Sequence, residues 1–469
     1  MKRLGEFFRF EERKTNFRQE ILGGLVTFLA MSYILFVNPT MISNAGIPLG
    51  GAFIATALGA AIATVIMAFT ANYPVALAPG MGVNAFFTYT IVLGIGYTWQ
   101  EALAASFIGG LIFVSITFTP LRRKLIEAIP PSLKAAIGAG IGFFIAFVGL
   151  QNAGIIVPDP VVSVKLGNLL DPGVLVALFG IVLIIVLFNL RGKLNRFAFV
   201  LAIVGTAILY AVLSLFGVFP AVVLNSYSDL GTFKETFGGF AQGFGSFFKD
   251  TTLSNGEIFT SGAKLATLPI IIFALLFVDI FDTAGTLVAV SKSAGLQKED
   301  GSIEKLDRAL FADAVGTLIS STLGTPEITS YVESATGVEA GARTGFSNLV
   351  VGALFILSIV LYPVMAIFSV FPVTAMALIL VGVLMAGQIA EIDWSDKALA
   401  IASFLTIIMM VLTYSVADGI AFGFISFSIA KLAQGKGKEI HPLIYIFSIL
   451  FAVYFVLYSK DFSLFSVFI

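Results

Sequence analysis

Two aspartates, Asp279 and Asp282, stand inside the apolar run IIIFALLFVDIFDTAGTLVAV. A glutamate, Glu333, stands inside TSYVESATGVEAGARTG, a stretch with apolar sequence on both sides. A carboxylate in such surroundings can accept charge-assisted hydrogen bonds from a ligand's N–H groups, or take up and release a proton. It is also expensive, because an acid at the centre of a bilayer costs about 2.5–3.5 kcal/mol on insertion scales. No Lys or Arg lies inside these runs as an obvious partner, Arg343 standing at the far end of the Glu333 stretch. Compensation therefore has to come from polar solvation, protonation or a bound ligand. The i, i+3 spacing puts the two aspartates on one face of a helix. The plainer alternative is that these carboxylates only hold helices together by hydrogen bonds.

The other ionisable residues offer less. Glu101 and Asp171 fall at the ends of apolar runs and read as interfacial. Glu327 follows Pro326 and reads as facing an extracellular entry or capping a chain break, Asp313 as helix packing, and Asp418-Gly419 as a turn. The single histidine, His441, precedes Pro442 beside a basic stretch and is a poor relay. Proton chemistry in the apolar region thus falls to the carboxylates. Cysteine is absent, which excludes disulfides, thiolate metal sites and cysteine nucleophiles. No metal and no cofactor is implied.

The elements around these acids belong to a membrane. Of 469 residues, 58% are hydrophobic and 12% charged, with mean hydropathy +1.00, whereas soluble domains carry about 25% charged residues. Forty-seven phenylalanines fit a large lipid-facing surface. The net charge of −1 implies no nucleic-acid partner. The first twenty residues are polar and basic, and the apolar run 21–37 is too long for a cleavable signal, so it reads as a retained first span. Further spans are predicted at 51–70, 75–94, 101–119, 133–150, 173–189 and 197–216. After a polar, Gly- and Phe-rich loop, a second series follows at 264–291, 306–323, 325–344, 346–369, 373–389, 397–413 and 415–432. The apolar stretch 441–458 is either a further crossing or an interfacial helix.

Basic residues give the orientation. Lys2, Arg3, Arg9, Arg13, Lys14 and Arg18 precede the first span. Arg122, Arg123 and Lys124, then Arg191, Lys193 and Arg196, then Lys292, Lys298 and Lys305, all fall on that same side if every segment crosses. The N-terminus is therefore expected in the cytoplasm. Seven spans per half make the second half enter from the opposite side, an inverted repeat. The third span holds NYPVALAPGMGVNAFF and the tenth LGTPEITSYVESATG, and their prolines Pro79 and Pro326 lie 247 positions apart. Interrupted spans at matching positions are the sequence's pointer to a transporter's binding site.

Each break reads as a short extended piece followed by a half-helix. Residues 328–332 are β-branched or aromatic, which favours extended backbone. Two such pieces could pair as antiparallel strands and satisfy backbone groups that lipid cannot. The half-helices would start near Gly82 and Ser334, aiming the N–H groups of Gly82, Val83, Ser334 and Ala335 at one midplane point. The alternative is a pair of ordinary kinked helices.

The stretches APGMGVNAFF, FVDIFDTAGTLVAV and TSYVESATGVEAGARTG together resemble the adenine/guanine/hypoxanthine (azaguanine-type) purine permease branch of the nucleobase–cation symporter-2 family. The resemblance covers nearly the whole chain. It implies an all-α polytopic membrane protein of 14 transmembrane segments in a 7+7 inverted repeat, with short antiparallel strands in the broken third and tenth spans. A core domain would comprise 1–130 and 264–371, a gate domain 131–216 and 372–432, with an extracellular loop at 217–263 and a C-terminal apolar segment at 433–469. It also implies an elevator-like movement of core against gate.

By the same resemblance Glu333 binds the base, Asp282 contacts substrate or couples protons, and Asp279 and Asn84 match polar positions of the branch. Where uracil transporters of this fold carry a histidine after the eighth-span acid, this chain has Thr286, and TPEI replaces a Thr- and Ser-rich segment. Asp282 and Asp279 are the candidates for the coupled proton. The implied partners are a purine nucleobase, a proton in preference to sodium, membrane lipid and a second copy in a homodimer. Phe86, Phe87 or Phe281 could stack on the base, although a lipid-facing or packing role is the better account of any one of them. The rival readings are an anion transporter of the same fold, against which the acids argue, and an intramembrane aspartyl protease. Two acids at i, i+3 on one helix do not resemble a protease dyad shared between facing helices.

Overall fold

The computed structural model describes residues 2–119, 128–190, 198–219, 238–246, 262–296, 303–360, 362 and 371–458. The basic loops at Arg122–Lys124 and Arg191–Arg196, Lys298, most of the loop expected at 217–263, and the chain after 458 lie outside the described residues. So does the side chain of Phe281.

A short helix α1 (Lys2–Phe7) leads into α2 (Phe17–Met31), α3 (Ile34–Ser43) and α4 (Leu49–Thr70). Next come strand β1 (Leu77–Pro79), the half-helix α5 (Met81–Ala85), which continues as a π-helical stretch Phe86–Ile95, and α6 (Trp99–Thr117). Helix α7 (Pro131–Asn152), the hairpin β2 (Ile156–Asp159) and β3 (Ser163–Leu166), α8 (Pro172–Asn189) and α9 (Ala198–Leu215) follow. The second half runs α10 (Gly262–Ser293), α11 (Leu306–Leu323), β4 (Ile328–Ser330), α12 (Ser334–Glu339) and α13 (Phe346–Val360). It continues with α14 (Phe371–Ala386), α15 (Lys397–Leu412), α16 (Val416–Ala433) and α17 (Pro442–Tyr458). Among the described residues, six helices are long and apolar enough to cross a membrane, and other apolar helices are shorter. The molecule is thus a helical, polytopic membrane protein.

Local signals account for many of the boundaries. Asn16 Oδ1 accepts from Gln19 N at 3.0 Å to start α2. Thr98 and Glu101 form a reciprocal capping box at the start of α6, each side chain accepting the other's backbone N–H. Glu101 is therefore buried in the cap at the start of that helix. Asp171 caps α8, Asp396 caps α15, and prolines occupy the first turns of α7 and α8. Asp418 departs from the turn expected of it. Ser415 Oγ caps its N–H at 3.2 Å, so Asp418 sits in the first turn of α16, where an acid suits the helix dipole. The β2–β3 hairpin, paired from Ile156↔Leu166 to Asp159↔Ser163, is an addition to the expected all-helical plan.

The helices sort into two packing groups. In one, α4 lies against α11 and α13, α6 against α11, and α2 against α12 and α13. In the other, α7 lies against α14 and α15, α8 against α9 and α14, and α15 against α16. Helix α17 lies on α16 and α10.

At the centre of the first group β1 pairs antiparallel with β4, in the register Leu77↔Ser330, Ala78↔Thr329 and Pro79↔Ile328. Gly80 N donates to Glu327 O and Tyr331 N to Ala76 O, both at 3.0 Å, extending the ladder at each end. Two three-residue strands have no independent stability, and side chains complete their bonding. Thr64 Oγ accepts from Leu77 N and donates to Leu77 O at 2.9 Å, and Thr317 Oγ donates to Ile328 O at 3.0 Å. Asn348 Nδ2 donates to the carbonyls of Tyr73 and Val75, and Tyr331 Oη donates to Pro79 O at 2.5 Å. Non-helical backbone persists at such depth when protein groups replace water as its partners.

Candidate functional site

Glu333 follows β4 by three residues, in a turn that leads into α12. Its Oε1 accepts a hydrogen bond from Tyr33 Oη at 2.7 Å. Tyr33 sits in the interruption between α2 and α3 and is 1% exposed. Asp282, half-buried on α10, is an electrostatic neighbour of Glu333, Tyr33 and Tyr331. Two carboxylates and two phenols from three segments thus converge.

Close approach of α2 and α12 fixes this geometry. A Cβ on Gly337 would lie 2.6 Å from Gly23 O and would overlap the Thr27 hydroxyl. A Cβ on Gly23 would lie 2.5 Å from Ala342 Cβ. Both glycines are needed for the contact, which holds Glu333 within reach of Tyr33.

Other expected site residues have different surroundings. The side-chain oxygen of Ser334 accepts from Ala76 N at 3.0 Å. The N–H groups of Ser334 and Ala335 donate to Tyr331 O and Val332 O, at 3.1 and 2.9 Å. Those two N–H groups are already spent in the turn around Glu333, so in this conformation they are not open to a ligand. Asn84 donates to Asn38 Oδ1 at 2.6 Å and receives Glu327 N at 3.5 Å, which makes it a brace between α3, α5 and the start of β4. Asn38 in turn donates to Thr56 and Thr325.

Asp279 also parts from its neighbour on α10. It is 1% exposed, and its Oδ2 lies 3.1 Å from the Thr317 hydroxyl of α11. Residues three apart on a helix diverge by about 60°, enough for the two aspartates to meet different neighbours. A Cβ on Gly82 would lie 2.8 Å from Ile141 Cγ2, so this glycine sets the approach of α5 to α7. Val83, Phe86 and Phe87 are buried in the apolar core. Glu327, read from the sequence as facing an entry, is 1% exposed.

Tyr33, Tyr331 and Asn38 escape a reading based on charge. A tyrosine next to a serine in an apolar run looks like an interfacial anchor. The available signal was Ser32-Tyr33 and Pro39 interrupting the first span.

The model of the permease family Xan_ur_permease matches residues 18–457, nearly the whole chain. The chain belongs to this family of nucleobase–cation symporters. Among the permease's relatives, the guanine/hypoxanthine permease PbuG of Bacillus subtilis is 44% identical over 96% of this chain and 99% of its own. The adenine permease AdeP of Escherichia coli is 35% identical over 96% of this chain and 95% of its own. In fold, the permease is similar to the transmembrane domain of the cyanobacterial bicarbonate transporter BicA. The TM-score is 0.59 at 14% identity, covering 87% of this chain and 97% of that one. It is also similar to SLC26A9, with TM-score 0.56 at 12% identity over 88% of this chain and 65% of that one. The protein is accordingly a multi-pass membrane transporter and not an enzyme.

Proposed function

We propose that this permease imports purine bases (hypoxanthine, guanine and adenine) across the plasma membrane by proton symport. The observation that carries the reading is the convergence of Glu333, Tyr33 and Asp282 in a chain whose relatives are named for guanine, hypoxanthine and adenine. A carboxylate can accept from both N1–H and the N2 amine of guanine, and from N1–H of hypoxanthine, by charge-assisted bonds. The tyrosine hydroxyl on Glu333 holds the carboxylate in place for the incoming donors. Asp282, beside it, is the group we assign to the coupled proton, with Asp279 next in line. Asn84, Gly82, Val83, Ser334 and Ala335 shape the site in other conformations of the cycle.

In this reading all fourteen segments cross, in two inverted sets of seven, with the N-terminus in the cytoplasm. The strand-bearing packing group is the core domain that carries the base, and the group around α7 and α14 is the gate against which it moves. Among the described residues few polar contacts join the two groups, one being Thr90 Oγ to Tyr414 O at 3.3 Å, which suits movement of one against the other. The fold neighbours transport anions, but two adjoining carboxylates repel an anion and favour a ligand rich in N–H donors.

The test is uptake of radiolabelled hypoxanthine into proteoliposomes. Accumulation should require an inward proton gradient, persist when sodium is replaced, and be suppressed by unlabelled guanine and adenine. Strict sodium dependence would reassign the ion, and indifference to all purines would end the substrate reading.

A further inference from the structure

Glu20, in the first turn of α2, is fully buried, and the transport reading gives it no part. Its carboxylate is well supplied with donors. Oε1 accepts from Thr15 Oγ at 2.9 Å and from Arg343 N at 2.8 Å. Oε2 accepts from Ser347 N at 3.2 Å and from Thr344 N at 3.4 Å. Arg343, Thr344 and Ser347 lead from α12 into the first turn of α13, so one side chain of α2 holds that whole connection. A carboxylate suits the place, because the N–H groups at a helix start carry partial positive charge. Bonds from them to an ionised oxygen are stronger than neutral ones. The same connection is fixed on its other sides. The Arg343 guanidinium donates to Ala342 O at 2.7 Å and to Val338 O in the last turn of α12. Gly345 N donates to Asn72 Oδ1 at 2.7 Å.

Helices α2 and α12 are thus joined at both ends of their contact. At one end Glu20 holds the chain that leaves α12. In the middle Gly23 and Thr27 pack against Gly337, and Gly23 against Ala342. At the other end Tyr33, two residues beyond α2, donates to Glu333, the residue before α12. The order of these partners makes the two helices antiparallel. Small-residue contacts bring backbones together by van der Waals packing, and they contain no directional bond to fix how far one helix has slid along the other. Polar bonds at the ends do. A slide of one residue, about 1.5 Å along the axis, is enough to break a hydrogen bond such as that of Tyr33 to Glu333.

We propose that Glu20 is a positioning residue: by tying the end of α12 to α2, it sets the register that brings Glu333 onto Tyr33. Its consequence for transport rests on the purine reading, in which Glu333 receives the base. Glu20 lies roughly 20 Å along the helix from Tyr33, too far to touch a base held there.

Fluorine NMR of the purified permease in nanodiscs, with 3-fluorotyrosine at position 33, reads the hydrogen bond of that hydroxyl without any purine. Glu333→Gln gives the resonance of the altered bond. Glu20→Gln keeps one acceptor and turns an amino group against the backbone donors, so it should move the resonance in the same direction. Guanine affinity, measured by calorimetry, should fall about tenfold with it. Glu20→Asp keeps the charge but withdraws it by one methylene. It should shift the resonance by less, and it carries the test if Glu20→Gln does not fold. A resonance at the wild-type position in a folded Glu20 variant would overturn the inference. So would wild-type guanine affinity in Glu20→Gln beside a weakened Glu333→Gln, the pattern of a helix cap that lowers the melting temperature and does nothing else. Wild-type affinity in Glu333→Gln would instead end the purine reading, and the fluorine shift would still decide whether Glu20 sets the Tyr33 bond.

Discussion

The two packing groups solve the same problem, helix association in an apolar medium, with different chemistry. The strand-bearing group buries Glu20, Asp279, Asp313, Asn38, Asn84 and Asn348, and bonds their side chains across elements far apart in sequence. In the group around α7 and α14, the buried threonines return to their own helix, while Ser403 reaches Ser132 O and Ser428 meets Ser448 across helices. Thr206 donates to Ala202 O at 2.7 Å and Thr406 to Ala402 O at 2.8 Å. Its charged member, Lys431, pairs with Asp396 at 2.8 Å near the helix end. Close contact there comes from small residues. A Cβ on Gly142 would lie 2.8 Å from Gly382 O, and one on Gly382 would lie 2.5 Å from Gly142 O. Polar bonds fix a geometry, whereas small-residue contacts supply adhesion by van der Waals packing alone. In the proposed reading, that difference places rigidity around the base and leaves the second group to pack through small residues.

The largest effect should come from filling the small-residue interface. Gly382→Leu drives side-chain atoms into the backbone of α7, and overpacking of this kind costs about 1–3 kcal/mol or more. A sharp fall in the detergent-solubilised melting temperature is expected, and an unchanged melt would show that the two helices are not in tight contact. A matched pair then isolates the polar difference. Thr317→Val removes a hydroxyl bonded to Asp279 and to the strand carbonyl of Ile328, which leaves buried acceptors short at a cost of about 1–3 kcal/mol. Thr406→Val removes a hydroxyl that only doubles an intrahelical bond, and should cost less than about 1 kcal/mol. Equal melting shifts for the two would erase the contrast between the groups.

How much of this was legible in the sequence depends on whether the signal was local. The breaks at Pro79-Gly80 and Pro326 could be read because Pro and Gly punctuate a helix whatever surrounds them. The strands Leu77–Pro79 and Ile328–Ser330 lie at those breaks. Glu333 was conspicuous because an acid in an apolar run is costly. Its tyrosine partner was not, since Tyr33 is 300 residues away and looks ordinary in its own segment. Asp279 and Asp282 shared a helical face by spacing, but which helix each would meet depended on the packing of α10. Glu327 looked like an entry residue next to a proline, but the pairing of β4 with β1, which the Gly80 N–H extends to Glu327 O, holds it inside. The β2–β3 hairpin drew no reading, because it lies between the predicted spans 133–150 and 173–189, outside any apolar run.

The smallest effect concerns the ion pair at the edge of the second group. The hydrogen bond from Lys431 to Asp396 holds the Asp396 carboxyl below the usual aspartate range. A depressed carboxyl contributes stability above its unfolded pKa, and that contribution is lost as pH falls through the folded value. The pair is partly exposed, so roughly 0.2–1 kcal/mol is at stake. Asp396→Asn, which keeps a capping oxygen, should melt slightly below wild type at neutral pH and level with it in acid. A gap that persisted in acid would assign the effect to the helix cap.

The central claim is that Glu333, held by Tyr33 beside Asp282, receives the purine. Calorimetric titration of guanine into purified Glu333→Gln, with wild type alongside, tests it most directly. The amide removes the charge and one acceptor and turns a donor toward the ligand's own donors. Loss of charge-assisted hydrogen bonding is worth about 1.5–3 kcal/mol, so affinity should fall by roughly 10- to 150-fold or more while the melting temperature stays near wild type. Guanine binding of wild-type strength in a folded Glu333→Gln protein would contradict the account.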